Sequence, residues 1–369
     1  MERYCKVRLN FLQEFEPTQT SRVWPLHEAT FPMSMVEQLL AIARNTLLES
    51  IRQPIVLIVC AAATILVVMS NPFSAWTMQD DQRMFVDIGL STVFLATAVL
   101  AAFIATSVIT REIDNGTVLT VVSKPVPRPV FVVGKFLGVS GAMLLAFAFL
   151  ALVFILVEVH GTLQTARDPL HIPVIVFGGS ALVAAVGLGA WMNYFYAKSF
   201  ESWTMGSAIP LLLLAYLGAL SFDAEWNSVP LAHQFEPEIW KALFLMALAT
   251  LVLNAVAIAA STRLGQVLTL LIVVGVFVLG LLSDWLLGRS LSAAAMQATH
   301  TVGEQIGLAL LTGCRAVLPN FQVFWLSDAL TQKKAIPVEY IGYAVPYALA
   351  MVTGLLALAT ALFQRREVG

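Results

Sequence analysis

The stretch IGLSTVFLATAVLAAFIATSVIT, from Ile88 to Thr110, contains no charged side chain. A soluble amphipathic helix keeps polar charge on one face, whereas about 20 consecutive apolar residues are what a helix needs to cross the hydrocarbon core of a bilayer. This stretch therefore reads as a membrane span. Working outward from it, apolar runs of similar length lie at approximately 55–71, 135–158, 173–196, 203–221, 241–260, 265–287 and 340–363. Lys198, Ser199, Phe200 and Glu201 separate one pair, and Ser261, Thr262 and Arg263 another, so each pair reads as a helical hairpin. The expected fold is an all-α polytopic transmembrane helical bundle of about six to eight spans.

Composition agrees with a lipid environment. The 369 residues are 59% hydrophobic and 12% charged, against roughly 45–50% and about 25% in soluble domains. Asp and Glu number 23 against 21 Lys and Arg, so there is no basic field to gather nucleic acid, which is excluded as a partner. Cys5, Cys60 and Cys314 show no CxxC or Cys/His spacing and are read as free thiols, with no metal site. The first 30 residues mix Glu, Arg, Gln and Pro and lack the apolar core of a secretory signal.

Lys and Arg resist translocation, so their distribution among short loops sets the orientation. Arg44, Arg52, Arg111, Lys124, Arg128, Lys135, Lys198, Arg263, Arg365 and Arg366 fall on one side, and only Arg83, Arg167 and Lys241 in the opposite short loops. Both termini are expected in the cytoplasm, and the long loop 288–339 outside. Its Ala294–Val317 stretch is moderately apolar, and Phe321, Phe324 and Trp325 follow; one or two helices lying on or dipping into the outer leaflet are expected, with a folded external cap as the alternative.

Residues 34–53 read as an amphipathic interfacial helix, with Val36, Leu39, Leu40, Ala43, Leu47 and Ile51 at helical spacing opposite Glu37, Gln38, Arg44, Asn45, Glu49 and Arg52. Residues 1–33 lack this periodicity and are expected to be a disordered tail or an upstream extension. The transmembrane domain then covers 54–363, and 364–369 form a cytoplasmic tail.

The loop 111–135 is the most informative connector. Asn115 and Gly116 suit a helix stop, Thr117 to Ser123 suits one short helix, and Pro125 and Pro127 end it. A shaped cytoplasmic knob and a plain solvated connector are both compatible with these residues. The order Glu112, Gly116, Thr117, then Ser123, Pro125, Arg128, then Gly134 and Lys135 resembles the Glu-x-x-x-Gly-Thr, Ser-x-Pro-x-x-Arg and Gly-Lys pattern of type 2 ABC exporter permeases. Further similarity lies in Glu49-Ser50-Ile51-Arg52, in Leu318-Pro319-Asn320-Phe321, and in Phe363-Gln364-Arg365-Arg366-Glu367. The resemblance implies a membrane permease subunit of an ATP-driven exporter in the bacterial cytoplasmic membrane. It implies a separate ABC ATPase subunit holding ATP and Mg, and a second permease subunit as homodimer or heterodimer partner. It also implies that Glu112, Asp114, Gly116, Thr117, Ser123, Pro125 and Arg128 couple the two. Such permeases usually have six spans, so the extra hairpin expected within 173–260 is a departure.

The chain itself carries no recognisable nucleotide site. Phe136 follows Gly134-Lys135 where Ser or Thr should meet magnesium, and no Gly lies five residues before Gly134. Gly138-Val139-Ser140-Gly141 matches the GxSG string of rhomboid-type proteases, yet His27, His160, His171, His233 and His300 all lie outside the expected spans, so no base serves the serine; Ser140 is read as a small packing residue. Asp80, Asp81 and Asp87 form a single acidic cluster without the second one a diphosphate-binding enzyme needs. Glu158 and Asp284 sit at span ends, where hydration suffices, which disfavours a proton-coupled antiporter. No catalytic residue is assigned. The rival readings are a non-transporting membrane scaffold or a lipid-modifying enzyme, and a neighbouring ATPase-encoding reading frame would discriminate against both.

Overall fold

Helix formation follows the apolar runs closely. The computed structural model describes residues 34–74, 81–114, 127–162, 170–289, 291–292 and 302–364, and no strand occurs among them. The helices are α1 (Met35–Ile51), α2 (Pro54–Ser74), α3 (Asp81–Asp114), α4 (Arg128–His160), α5 (Ile172–Tyr196), α6 (Phe200–Leu220), α7 (Pro237–Ser261), α8 (Gln266–Ser283, prolonged by a π-helical turn to Gly288), α9 (Val302–Val317) and α10 (Val338–Gln364). Eight of these, α2 to α8 and α10, are long and apolar enough to cross a membrane. They correspond one for one with the eight apolar runs. The chain is thus an integral membrane protein, an all-α polytopic bundle.

Local chemistry sets the boundaries. Ser34 and Glu37 form a reciprocal capping box at the start of α1, Glu37 N–H donating to Ser34 Oγ at 3.2 Å and Ser34 N–H to Glu37 Oε2 at 2.8 Å. Proline occupies the first turn of α4, α5 and α7, where its missing N–H has no helical partner to lose. Helix α4 closes on Gly161 at φ 77°, and α5 closes on Ala197 at φ 51°, a left-handed cap that lets the α5–α6 hairpin turn within three residues.

Helices α3, α4 and α7 are the most enclosed, while α5, α8 and α10 lie at the periphery. Helix α1 lies against α4, in a bed made by missing side chains. A Cβ on Gly134 would stand 2.8 Å from Ile42 Cγ2, one on Gly138 would stand 2.6 Å from the Ala43 carbonyl, and one on Gly141 would stand 3.0 Å from Leu47 Cδ1. The glycines therefore let the two helices approach closely. Ile42 and Thr46 meet α4, whereas Val36 and Leu40 stay exposed. One edge of α1 is thus bound to protein and the other is left for the membrane interface.

The long loop 288–339 contains α9 and, after a break, a segment from Phe321 to Thr331; residues 305–317 and 321–331 form a bent pair with an angle of 41°. Its aromatics pack against the bundle. Phe321 and Phe324 are fully buried, and Phe94 of α3 meets Phe277, Phe321 and Trp325 with ring centroids 4.9, 5.8 and 6.1 Å away. Gly280 makes the room, because a Cβ there would stand 2.5 Å from the Pro319 carbonyl. Tyr340 Oη donates to the Val323 carbonyl at 2.7 Å, and Asn320 N–H donates to Tyr347 Oη at 2.7 Å. Arg83 pairs with Asp328 at 3.2 Å, and Arg315 with Asp284 at 3.1 Å. Glu238 binds both Lys241 Nζ at 2.8 Å and the Ile336 amide at 2.7 Å. The Leu318–Phe324 stretch is therefore inserted between helix ends.

Candidate coupling surface

The end of α10 lies at the start of α4, the end of the bundle where α1 also lies, and side-chain contacts gather five segments there. Helix α4 begins at Arg128, inside the 111–135 stretch, because Pro127 is extended and Pro129 is already shaped for the first turn. Arg128 Nη1 donates to the Gln364 carbonyl at 2.8 Å. Arg263, in the α7–α8 turn, donates through Nε to the Leu362 carbonyl at 3.0 Å. The last carbonyls of a helix have no intrahelical donor and carry partial negative charge, so two guanidinium groups complete the end of α10 chemically and electrostatically.

Aromatic packing reinforces the junction. Phe131, one turn into α4, stacks on Phe363 with centroids 5.6 Å apart and planes 19° apart. Lys135 is buried at 2% exposure, with Nζ 5.7 Å from the centre of the Phe131 ring. The Gly134-Lys135 pair lies inside helix α4 and faces protein, so it is not a phosphate loop. Nearby, Ser107 Oγ on α3 donates to Gln53 Oε1 in the α1–α2 turn at 3.0 Å. This surface thus joins the ends of α1, α3 and α10 to the start of α4 and the α7–α8 turn. These contacts hold the helix ends to one another.

Of the residues that sequence suggested for coupling, one has a described side chain on this surface. Arg128 is present and exposed, with its guanidinium tied to α10. Glu112 and Asp114 fall in the final turn of α3, with side chains outside the described residues. Gly116, Thr117, Ser123 and Pro125 also lie outside the described residues. Arg263, Phe131 and the Gly138 bed were not anticipated. Phe363 and Gln364 belonged to one of the family-like strings, so the tail held a signal that pointed to this junction.

Ser140 has a more definite role than packing. It is buried on α4 and accepts a hydrogen bond from Asn254 Nδ2 of α7 at 2.6 Å. Its neighbour is an amide and not an imidazole.

Residues 51–200 match the family model described as ABC-2 family transporter protein. The match takes in the end of α1, the whole of α2 to α5, and stops as α6 begins. No curated protein matches the chain. The multispan helical architecture and this match agree: residues 51–200 are similar to ABC-2 type permeases, which are membrane components of transport.

Proposed function

We propose that the chain is the permease subunit of an ATP-driven exporter. ATP and Mg are handled by a separate ABC ATPase chain, and a second permease subunit completes the pathway. The family match over residues 51–200 carries this reading. The junction around Arg128 supports it, since a push on the 111–127 connector at the start of α4 passes directly to α10 through Gln364 and to α1 through the glycine bed. Nucleotide-driven closure of the ATPases would then bias the bundle between inward-facing and outward-facing states through differential contacts in the two. In this reading the membrane is the bacterial cytoplasmic membrane, and α1, the 111–127 connector and both termini are cytoplasmic.

The test is co-purification with an ABC ATPase encoded beside the gene. Glu112→Lys and Arg128→Glu should lose the ATPase while the permease still inserts, with a loss on the order of 2 kcal/mol, roughly thirtyfold in association. Arg263→Glu removes the other cap of α10 without touching the connector and should retain the ATPase. Full retention by both connector variants, or equal loss in Arg263→Glu, would remove the connector from the coupling role.

A further inference from the structure

At the end of the bundle away from α1, the last turns of α2 and α4 and the first turns of α5 enclose a cavity of about 480 Å³. Its size lies in the range of small-molecule sites, roughly 300–1,000 Å³. Among the described residues the wall is mostly hydrocarbon, including Val68 and Met69 of α2, Leu156 of α4 and Ile175 of α5; no Lys, Arg, Asp or Glu of these residues lines it, and Asn71 and His160 are its polar side chains. Met69 is 40% exposed and Ile175 51%, so the cavity opens sideways between spans. Lipid, not water, borders a bundle on that side.

One polar atom of this wall lacks a partner. Asn71 is 5% exposed; its Nδ2 is committed to the carbonyl of Gly161, the positive-φ cap of α4, at 2.6 Å. Its Oδ1 is buried and has no hydrogen-bond partner. Buried acceptors are almost always satisfied, and leaving one unmet in an apolar setting is costly. A ligand that fits must therefore be mostly hydrocarbon, reach the site from the bilayer, and bring a donor to its polar end.

We propose that this cavity binds one acyl chain of a membrane glycerophospholipid, with an ammonium or hydroxyl donor of the lipid head hydrogen-bonded to Asn71 Oδ1. The phosphate remains at the interface, since no Lys or Arg among the described lining residues draws it inward. The site stands independently of ATP-driven transport and would exist in a scaffold as well.

Gly179 supplies the test, because it lines the cavity and a Cβ on it meets nothing within 4 Å. The full-length protein is reconstituted in vesicles of phosphatidylethanolamine and phosphatidylglycerol containing a trace of phosphatidylethanolamine with a photoreactive diazirine near the acyl terminus. After irradiation, adducts are mapped by mass spectrometry. They should concentrate on residues 68–72, 153–160 and 170–182, and Gly179→Leu should reduce them at least fivefold while adducts on α8 and the gel-filtration profile stay unchanged. A phosphatidylcholine probe, whose quaternary ammonium has no donor, should label this site several-fold less. Even labelling over all lipid-facing helices, or equal labelling of Gly179→Leu, would overturn the acyl site. Cross-linking of this face to a second copy of the chain would do the same. Equal labelling by phosphatidylcholine would overturn the Asn71 hydrogen bond.

Discussion

Asn254 on α7 donates its side-chain amide to Ser140 on α4 across 2.6 Å, with both residues buried between two of the three most enclosed helices. Such bonds between spans contribute about 0.6 kcal/mol on average and up to roughly 1.7 kcal/mol in measured cycles. A double-mutant cycle with Asn254→Ala and Ser140→Ala, followed by thermal denaturation in detergent, should give a coupling energy in that range. Additive effects would show that the contact contributes nothing beyond packing.

Gly138 is the tightest point of the α1 bed, where an added Cβ would approach both a side chain and the Ala43 carbonyl. Backbone cannot move aside as the end of a side chain can. Gly138→Leu should cost about 1–3 kcal/mol as an overpacking defect, expressed as release of α1. Limited proteolysis should then cut within residues 35–51 while leaving the spans intact. Gly179→Ala, in open space, should be neutral or slightly stabilising because Ala favours helix by about 1 kcal/mol over Gly. Unchanged protease resistance in Gly138→Leu would mean that α1 is not held by this groove.

Orientation is open to direct measurement. In a background with Cys5, Cys60 and Cys314 replaced, an impermeant thiol reagent added from outside should label Gln332→Cys, whose parent residue is exposed, and miss Ser123→Cys. The reverse pattern would invert the topology drawn from Lys and Arg placement.

His171, the residue just before α5, is buried with both ring nitrogens lacking partners. Burial lowers its pKa, and the neighbouring charge of His160 lowers it further against the opposing pull of Asp223. The folded pKa lies below the unfolded value of about 6.5, so the unfolded state binds the proton more readily. The stabilisation is complete above about pH 6.5 and is lost as pH falls through the folded pKa. His171→Leu should therefore lose less thermal stability than the parent between pH 7.5 and pH 5. Parallel pH profiles would rule out this residue as a source of the acid sensitivity.

The spans were legible because hydrocarbon thickness imposes a length and a composition on each helix independently of its neighbours. The Ile88–Thr110 stretch needs no partner to be recognised. What escaped sequence reading depends on pairs remote in the chain. The Arg128–Gln364 bond joins residues 236 positions apart, and nothing in either segment alone announces it. The aromatic run at 321–325 carries the composition of an interfacial belt, yet the absent side chain of Gly280 lets Phe321 enter the bundle. Helix α4 starts before its apolar run because Pro129 fixes the first turn, a backbone effect that hydropathy does not register. Of the coupling residues, Arg128 alone has a described environment, and that environment adds a structural duty to the one inferred from its motif.

The single turn of α4 between Phe131 and Gly134 touches Phe363 on one side and Ile42 on another. Deletions made at opposite ends of the sequence, one removing α1 and the other the last turn of α10, would consequently strip the same few residues bare. Truncation series from the two termini should therefore fail by a common route, and a tag that crowds either end should perturb the other.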